Sequence, residues 1–600
     1  MADNPVPELG NKTPLEYANI PTIDAMCAKG VLGSVSNCPA GLPAGSDTAI
    51  TSIFGCDPRK YYTGRAPLEA AASGIKLKTG DIAYRCNMVA YEDDDTKAFE
   101  EKKILSHSAG SIEAEDSDAI VTALFADPEF AAAAAKAGMK VTLLEKNLQP
   151  GGCLQTFTRL GRKFDTGFHY VGGLGEGESL YPVARYLGLL DLPWKQLSAD
   201  CADKVVIGDE EFCIATGHDN FAGVLSERFP GQKDNLKKYV SFLKSVGDNI
   251  YRPIKEEDAV ISDLFSTSAY DFLKKTITDP LLRKVLSGTS LKMHLDAGSL
   301  PLYVFAQINN SFIQSSWRLQ GGGEMVVSHL VDAIESMGGE VRSGAEVTAL
   351  KERDGRIVGV EIGGEDVLEA DWIISGTHPS ITMGLLDDSS SIRRVYRRRM
   401  TSLKNSYGMF TANVCLKKEH VKYQQNNIFV HTKDADLWNP DLFGTESAMV
   451  HFYVPDSGDY ADRLDIMSPM DFSLVEQWQS LPVGRRGKVY ESIKRAKAEA
   501  CVDLVSRYVP GLEDGIEAVF TSTPLTYQDY TGSPFGSAYG VVKDCHSPLT
   551  TVISPRTPIS NLLLTGQSLN LHGFLGVSMT SLLTCSSILG MDYIRKELGI

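Results

Sequence analysis

The sequence predicts an α/β fold with a buried parallel sheet, and two stretches of the chain carry this prediction. Residues 140–144 form a short run rich in β-branched residues and leucines that ends in Glu145, a pattern typical of a buried parallel strand after a helix. Residues 339–375 alternate valine and isoleucine with polar residues around Asp354-Gly355, a dipeptide that favours a hairpin turn. The apolar run 372–374 then predicts a strand that returns to the same sheet.

Length, composition and charge limit the class of protein. A chain of 600 residues exceeds what one hydrophobic core usually supports, so two or more domains are expected. Hydrophobic residues make up 43% and charged residues 22%, which is typical of a globular protein. The net charge of −17 argues against a nucleic-acid partner, because such binding needs a basic surface.

Cysteine spacing and hydropathy indicate the compartment. The eleven cysteines form no CxxC pair and no zinc-ligand pattern, and the first residues lack the charged and apolar regions of a secretion signal. No apolar run reaches the roughly 18–20 residues that span a bilayer. We therefore expect a cytoplasmic protein, with peripheral membrane contact as an additional expectation if its substrate is a lipid.

Composition changes abruptly near residue 130, where a stretch rich in Gly, Pro and Asp gives way to an alanine-rich predicted helix over 131–138. Helical periodicity dominates residues 180–317, and residues 407–454 are predicted to be strand-rich. The predicted domains are an amino-terminal piece (1–130), a sheet domain (131–180, 318–400 and 535–600) and an inserted α+β substrate domain (181–317 and 401–534).

Several motifs for a dinucleotide cofactor follow the predicted strand in order. An acidic residue that closes the second strand of a dinucleotide-binding fold accepts hydrogen bonds from a ribose, and Glu145 stands at that place. Gly151-Gly152 come next, and paired glycines let the backbone approach a pyrophosphate or a flavin ring. The later motifs are Phe164-Asp165-Thr166-Gly167 with His169-Tyr170, Gly321-Gly322-Gly323, the segment 344–347, and Thr377-His378-Pro379.

With the tail segments 561–567 and 571–576, these motifs make residues 131–600 similar to the phytoene desaturase, carotenoid isomerase and retinol saturase flavoenzymes. Cys153 makes the retinol-saturase-like members the most similar. The resemblance implies a Rossmann-like FAD-binding domain of the amine-oxidase and phytoene-desaturase type, and a lipophilic substrate. The cofactor-binding residues it implies are Glu145, Gly151, Gly152, Asp165, Thr166, Gly167, Val347, Gly566, Gln567, Gly573 and Gly576.

Few side chains are candidates for acid–base chemistry, because in such enzymes the flavin carries the redox step. His169, Tyr170 and His572 are the polar side chains expected nearest the flavin. A helix predicted to start just beyond Gly576 would direct its amides at the ring.

The glycine-rich turn of such a fold is not found at its expected place. Counting back from Glu145 by the usual interval of roughly 23 residues puts Thr122, Leu124 and Asp127 where GxGxxG should stand. A carboxylate and bulky side chains at these places predict weakened FAD binding.

Residues 3–130 resemble a different family, the archaeal-type cofactor-independent phosphoglycerate mutases, through the segments 7–24, 41–70 and 80–87. The resemblance implies a truncated alkaline-phosphatase-like α/β fragment in which Ser46 is the phosphoryl-accepting nucleophile, with Asp57 and Arg59 in substrate-region motifs. Such a serine needs two metal ions, and the metal-ligand motifs are not found, so manganese or magnesium is expected only if this piece were complete.

Three hypotheses follow. The first is an FAD-dependent oxidoreductase of a polyene or terpenoid lipid; the alternatives are a phosphoglycerate mutase activity and a non-enzymatic fusion or pseudoenzyme. The motifs do not distinguish saturation, desaturation and isomerisation.

Overall fold

The computed structural model describes residues 9–12, 17–30, 52, 57–61, 90–91, 104–106, 136, 138–252, 263–364, 366–386, 389 and 391–600. The chain divides into two compact units, Met1–Glu113 and Ala114–Ile600. Ser46, the three places of the glycine-rich turn and most of the alanine-rich segment lie outside the described residues. In the first unit the described elements are α1 (Pro21–Cys27), α2 (Pro58–Tyr61) and the antiparallel strands β1 (Ala90–Tyr91) and β2 (Ile104–Ser106).

The second unit mixes helices and strands throughout. Its described helices are α3 (Tyr181–Leu187), α4 (His218–Arg228), α5 (Lys233–Gly247), α6 (Ala269–Thr276), α7 (Pro280–Ser287), α8 (Leu302–Gln314), α9 (Glu324–Ser336), α10 (Pro379–Leu385), α11 (Arg394–Thr401), α12 (Gly487–Ser506), α13 (Leu512–Gly515), α14 (Pro524–Thr531), α15 (Pro548–Thr551), α16 (Gly573–Leu589) and α17 (Met591–Leu598).

Its described strands are β3 (Thr142–Glu145), β4 (Thr156–Arg159), β5 (Arg162–Asp165), β6 (Val171–Gly172), β7 (Trp194–Gln196), β8 (Asp203–Ile207), β9 (Glu210–Ile214), β10 (Ser316–Leu319), β11 (Glu340–Ser343), β12 (Val347–Arg353), β13 (Arg356–Ile362), β14 (Asp366–Leu368), β15 (Ile373–Ser375), β16 (Gly408–Leu416), β17 (Asn427–His431), β18 (Ser447–Phe452), β19 (Arg463–Met470), β20 (Ile516–Ser522) and β21 (Leu562–Leu564).

The predicted buried strand is confirmed as β3, which pairs in parallel with β11 from Thr142↔Glu340 to Glu145↔Ser343. A second parallel pair joins β15 to β21. Among the described strands, β15 bonds to β21, and no described strand joins this pair to β3, so the expectation that 372–374 returns to the same sheet stays a prediction.

The predicted hairpin at Asp354-Gly355 is confirmed as the turn between β12 and β13. Asp354 has φ 52° and Gly355 φ 80°, the left-handed conformation that a two-residue hairpin turn requires at both positions. β14 adds a third antiparallel strand to this meander.

A seven-stranded sheet forms the centre of the remaining part, in the order β20-β16-β19-β18-β17-β8-β9. All its pairings are antiparallel except β17 with β8. The helical prediction for 180–317 therefore missed β8 and β9, and it also missed β7, which pairs with β10 outside this sheet. The reason lies in β8, where Val205 and Ile207 pack into one core and Val206 into another. A strand buried on both faces has a continuous apolar run instead of an alternation, so periodicity does not separate it from a helix.

A disulfide joins Cys201, just before β8, to Cys213 in β9, a pair that the cysteine pattern of the sequence did not predict. Among the described residues, no helix has both the length and the apolar character needed to cross a membrane. The described residues also contain no cluster of three or more metal-ligating side chains.

Candidate flavin and substrate site

A cavity of about 710 Å³ lies between the two pairs of parallel strands. All four residues of β3 line one side of it and all three residues of β15 line the other, whereas the residues of β11 and β21 do not. The order is thus β11, β3, cavity, β15, β21. Among the described residues, no strand lies between β3 and β15.

Glu145 lies at the end of β3 on the cavity wall, as the ribose-binding prediction requires. Its Oε1 accepts a hydrogen bond from the Asn147 backbone N–H at 2.8 Å. Burial raises the pKa of this carboxyl above its ordinary value, and Lys146 and the Asn147 hydrogen bonds partly offset the rise.

Gly151 and Gly152 have different structural roles. Gly151 (φ 113°) packs against α9, where an added Cβ would lie 2.5 Å from Val327 Cγ2. Gly152 (φ 54°) lines the cavity, and no atom lies within 4 Å of the place its Cβ would take. Gly152 therefore keeps open a space on the wall that any side chain would enter.

The opposite wall is formed by the chain that leaves β21. Gly566 (φ 99°) and Gln567 line the cavity after the strand, and α16 begins there at Gly573. The prediction that this helix starts just beyond Gly576 is wrong by one turn; Gly576 lies inside it, packed on Leu571. The first residues of α16 line the cavity, so the positive end of its dipole faces the cavity.

Asp165 lies behind the wall that Thr166 and Gly167 form. Its Oδ1 accepts a hydrogen bond from Gly323 N–H at 2.7 Å, and a Cβ on Gly322 would come within 2.6 Å of the same oxygen. Asp165 thus holds the glycine triplet in place from behind.

A second buried carboxyl is linked to Asp165 through a tyrosine. The Tyr453 hydroxyl accepts from the Asp165 N–H at 2.8 Å and donates to Asp465 Oδ2 at 2.6 Å. Burial raises the pKa of both carboxyls to about 7.

His169 lines the cavity but contacts mainly weakly polar groups. Its ring stacks on His451 with centroids 5.1 Å apart, and its Nε2 contacts Met467 Sδ. Burial lowers the pKa of His169 to about 4, so the imidazole is neutral at physiological pH.

Tyr170 belongs to a network that sequence reasoning missed. Its hydroxyl donates to Asp203 Oδ2 at 3.2 Å, and Lys292 Nζ donates to the same oxygen at 2.8 Å. Asn427 Nδ2 donates to Asp203 Oδ1 at 2.9 Å and presents its own Oδ1 to Arg318. Burial raises the pKa of Tyr170, and Asp203 raises it further. Burial lowers the pKa of Lys292, and Asp203 partly offsets that shift.

His572 contacts the backbone of a residue in this network: its Nε2 lies 3.2 Å from the carbonyl oxygen of Lys292. Burial lowers the pKa of His572 to about 4. Tyr170, His572, Lys292 and His169 all line the cavity, but His169 contacts His451 and Met467 and not the Asp203 network. The one signal for Lys292 in the sequence is that it is the single lysine or arginine between residues 285 and 295.

Much of the remaining cavity lining is apolar. Apolar residues of this lining come from α8, from the segment before it and from the central strands of the seven-stranded sheet. They are Leu291, Ile308, Phe312, Met409, Met449 and Met467. Val347 lines the cavity too.

Two pairs of parallel strands around a glycine-lined cavity define a flavin-type oxidoreductase fold of mixed α/β content. Residues 131–387 match the family of flavin containing amine oxidoreductases. Residues 27–144 match the family of 2,3-bisphosphoglycerate-independent phosphoglycerate mutases.

Individual proteins agree with both matches. The chain is 28% identical over 508 residues to all-trans-retinol 13,14-reductase of Rattus norvegicus, covering 76% of this chain and 83% of that protein. It is 43% identical over 124 residues to a phosphoglycerate mutase of Methanosarcina acetivorans, covering 21% of this chain and 29% of the mutase. An oxidoreductase from Methanosarcina mazei has a similar fold, with a TM-score of 0.54, 15% identity, and coverage of 78% of this chain and 99% of that one. Both resemblances predicted from the motifs are confirmed.

Proposed function

We propose that this protein is an FAD-dependent oxidoreductase that acts on a polyene or terpenoid lipid. The observation that carries the proposal is one cavity of about 710 Å³ that is lined both by glycines and by methionine and aliphatic side chains. A cavity of this size suits a cofactor ring together with an apolar substrate. The similarity to proteins named all-trans-retinol 13,14-reductase supports a retinoid or related polyene as the substrate.

The residues present fit FAD at two places. The Glu145 carboxylate fits a ribose, and the open space at Gly152 together with the first turn of α16 fits the flavin ring. Thr565 Oγ1, buried without a partner on this wall among the described residues, fits a polar ring atom. FAD, when bound, supplies reversible two-electron chemistry.

The charge states of the wall residues decide which of them could deliver a proton. His169 and His572 are neutral because burial lowers the pKa of each to about 4. The proton-bearing groups are the Lys292 ammonium and the Tyr170 hydroxyl, both held by Asp203. We infer that Asp203 positions them and that the methionine-lined end excludes water from the substrate.

The seven-stranded sheet supports a substrate domain made from 181–317 and 401–534, because it joins β8 and β9 of the first segment to β16–β20 of the second. We propose 131–180, 318–400 and 535–600 as the FAD-binding domain, and a cytoplasmic location with peripheral membrane contact.

Flavin absorbance of the purified chain, before and after reconstitution with FAD, tests the cofactor. All-trans-retinol and a linear carotene are then incubated anaerobically with the reconstituted protein, with and without dithionite, and the products are analysed by chromatography and mass spectrometry. A gain of two hydrogens identifies saturation, a loss identifies desaturation, and an unchanged mass with a new retention time identifies isomerisation. A chain that binds no FAD under any of these conditions contradicts the proposal.

A further inference from the structure

A strongly basic helix stands out on this acidic chain, whose net charge is −17. The helix α11 and the residue before it carry five arginines, at positions 393, 394, 397, 398 and 399. Arg393, Arg394 and Arg398 are exposed. In the part of the chain that the structure describes, none of these three forms an ion pair with a carboxylate.

Two aliphatic side chains lie exposed beside these cations. Val395 on α11 is 81% exposed and Leu549 at the start of α15 is 89% exposed. Arg399 joins the two helices, because its Nε donates to the Thr550 carbonyl at 2.9 Å and its Nη2 to the Val552 carbonyl at 3.1 Å. We call Arg393, Arg394, Val395, Arg398 and Leu549 the basic–aliphatic surface.

We propose that the basic–aliphatic surface docks the protein on an anionic lipid bilayer. Exposed guanidinium groups pair with lipid phosphates, and neighbouring aliphatic side chains enter the boundary between headgroups and acyl chains. The rest of the molecule is acidic and is repelled by such a bilayer, so a local cluster of cations also sets the orientation of docking. The exposed Val395 and Leu549 favour a bilayer over an acidic protein or a free phosphate.

The docking surface lies close to the proposed site, and the proposal rests on the proposed function in this respect. α11 packs on α10, where the Arg397 guanidinium donates to the Met383 carbonyl. Ile381 and Leu385 of α10 line the cavity. The docking surface is thus one helix away from the cavity wall of the proposed FAD-binding domain.

Vesicle co-sedimentation of the full chain tests the proposal, with phosphatidylcholine vesicles compared with vesicles of phosphatidylcholine and phosphatidylserine. We expect binding to the anionic vesicles alone, and a loss of that binding as salt is raised. R394Q/R398Q should weaken it about 25-fold, at roughly fivefold for each cation removed. V395S/L549S should weaken it as well, with the charge unchanged.

Matched variants control for charge and for apolar area elsewhere. K237Q/K238Q removes two exposed lysines from α5, and L481S/V483S removes two exposed aliphatics far along the chain; both should leave binding unchanged. Unchanged binding by R394Q/R398Q, equal binding to both vesicle types, or a loss confined to L481S/V483S would overturn the proposal. So would full displacement by millimolar inorganic phosphate, which indicates a soluble phosphate site.

Thermal midpoint and FAD content are measured for every variant. Retained FAD with lost vesicle binding supports docking by this surface, and retained vesicle binding in a chain without FAD contradicts the proposed function alone.

Discussion

Lys292 Nζ lies 2.8 Å from Asp203 Oδ2, and the two side chains are only 5% and 2% exposed. The pair connects the segment that precedes α8 to strand β8 of the seven-stranded sheet. It also places an ammonium group on the cavity wall. Phe312 covers the ammonium from the other side, with its ring centroid 4.2 Å from Nζ.

Breaking this pair should destabilise the protein strongly. D203N leaves the Lys292 ammonium buried without a counter-charge, and K292M leaves the carboxylate with neutral donors only, so each should cost about 3–5 kcal/mol. K292M/D203N should cost less than the sum, since no uncompensated charge remains. Urea unfolding of the four proteins measures these differences.

The control for this cycle is the Lys244–Asp248 pair on α5, at 2.7 Å with both side chains about half exposed. K244M should cost about 0–1 kcal/mol. If K292M proved as mild as K244M, the buried pair would not hold the wall together.

Gly152 should matter for FAD and little for folding. Gly152→Ala and Gly161→Ala each put a side chain at a positive φ with free space around the new Cβ, so each should cost a similar strain of about 1–2 kcal/mol. Gly152 lines the cavity and Gly161 lies in the turn between β4 and β5. FAD titration followed by fluorescence should show weaker binding for Gly152→Ala alone; equal affinities would show that FAD does not approach this wall.

Glu145→Gln should weaken FAD binding about 10- to 100-fold, because hydrogen bonds to a charged acceptor contribute about 1.5–3 kcal/mol. Glu340→Gln, an exposed carboxylate on the neighbouring strand β11, is the matched control. Calorimetric titration with FAD measures both. A loss of affinity shared by the two variants would point to sheet stability instead of ribose binding.

Stability should depend on pH through Asp165 and Asp465. Burial raises the pKa of both to about 7, whereas an aspartate in an unfolded chain titrates near about 3.9. Between these pKa values the folded protein holds protons that the unfolded chain has released. The contribution of this pair to the free energy of unfolding is therefore complete below about pH 4 and is lost as the pH rises toward about 7.

Asp465→Asn should flatten this slope, and Asp248→Asn on the surface should leave it unchanged. The urea unfolding midpoints of the unsubstituted protein and of both variants, measured between about pH 4.5 and 7.5, test this expectation. An identical slope in all three proteins would mean that the pair is ionised in the folded state.

Local patterns predicted the parts of the fold that local physics determines. The run ending in Glu145 became β3, and Asp354-Gly355 became a hairpin turn because the turn geometry requires left-handed residues. The glycine motifs pointed to Gly152 and Gly573, because both residues have the positive φ that glycine adopts more readily than other residues.

Lys292 and Asp203 could not be found in this way. They are separated by 89 residues, and their meeting depends on how α7, which lies just before Lys292, packs against β8 and on Asn427 from β17. The start of α16 was misplaced for a related reason, because Gly576 serves close packing on Leu571 and not the helix end.

The parallel pairing of β8 with β17 has a consequence for how the chain reaches its folded form. Asp203 and Asn427 are neighbours in that ladder although 224 residues separate them. At a synthesis rate of about 5–20 residues per second, the ribosome completes β17 on the order of ten seconds or more after it completes β8. During this interval the β8–β9 hairpin exposes an unpaired apolar edge. Biogenesis of this protein should therefore depend on chaperones that bind nascent chains, and pulse-labelled chains stopped before residue 427 should be protease-sensitive in this region.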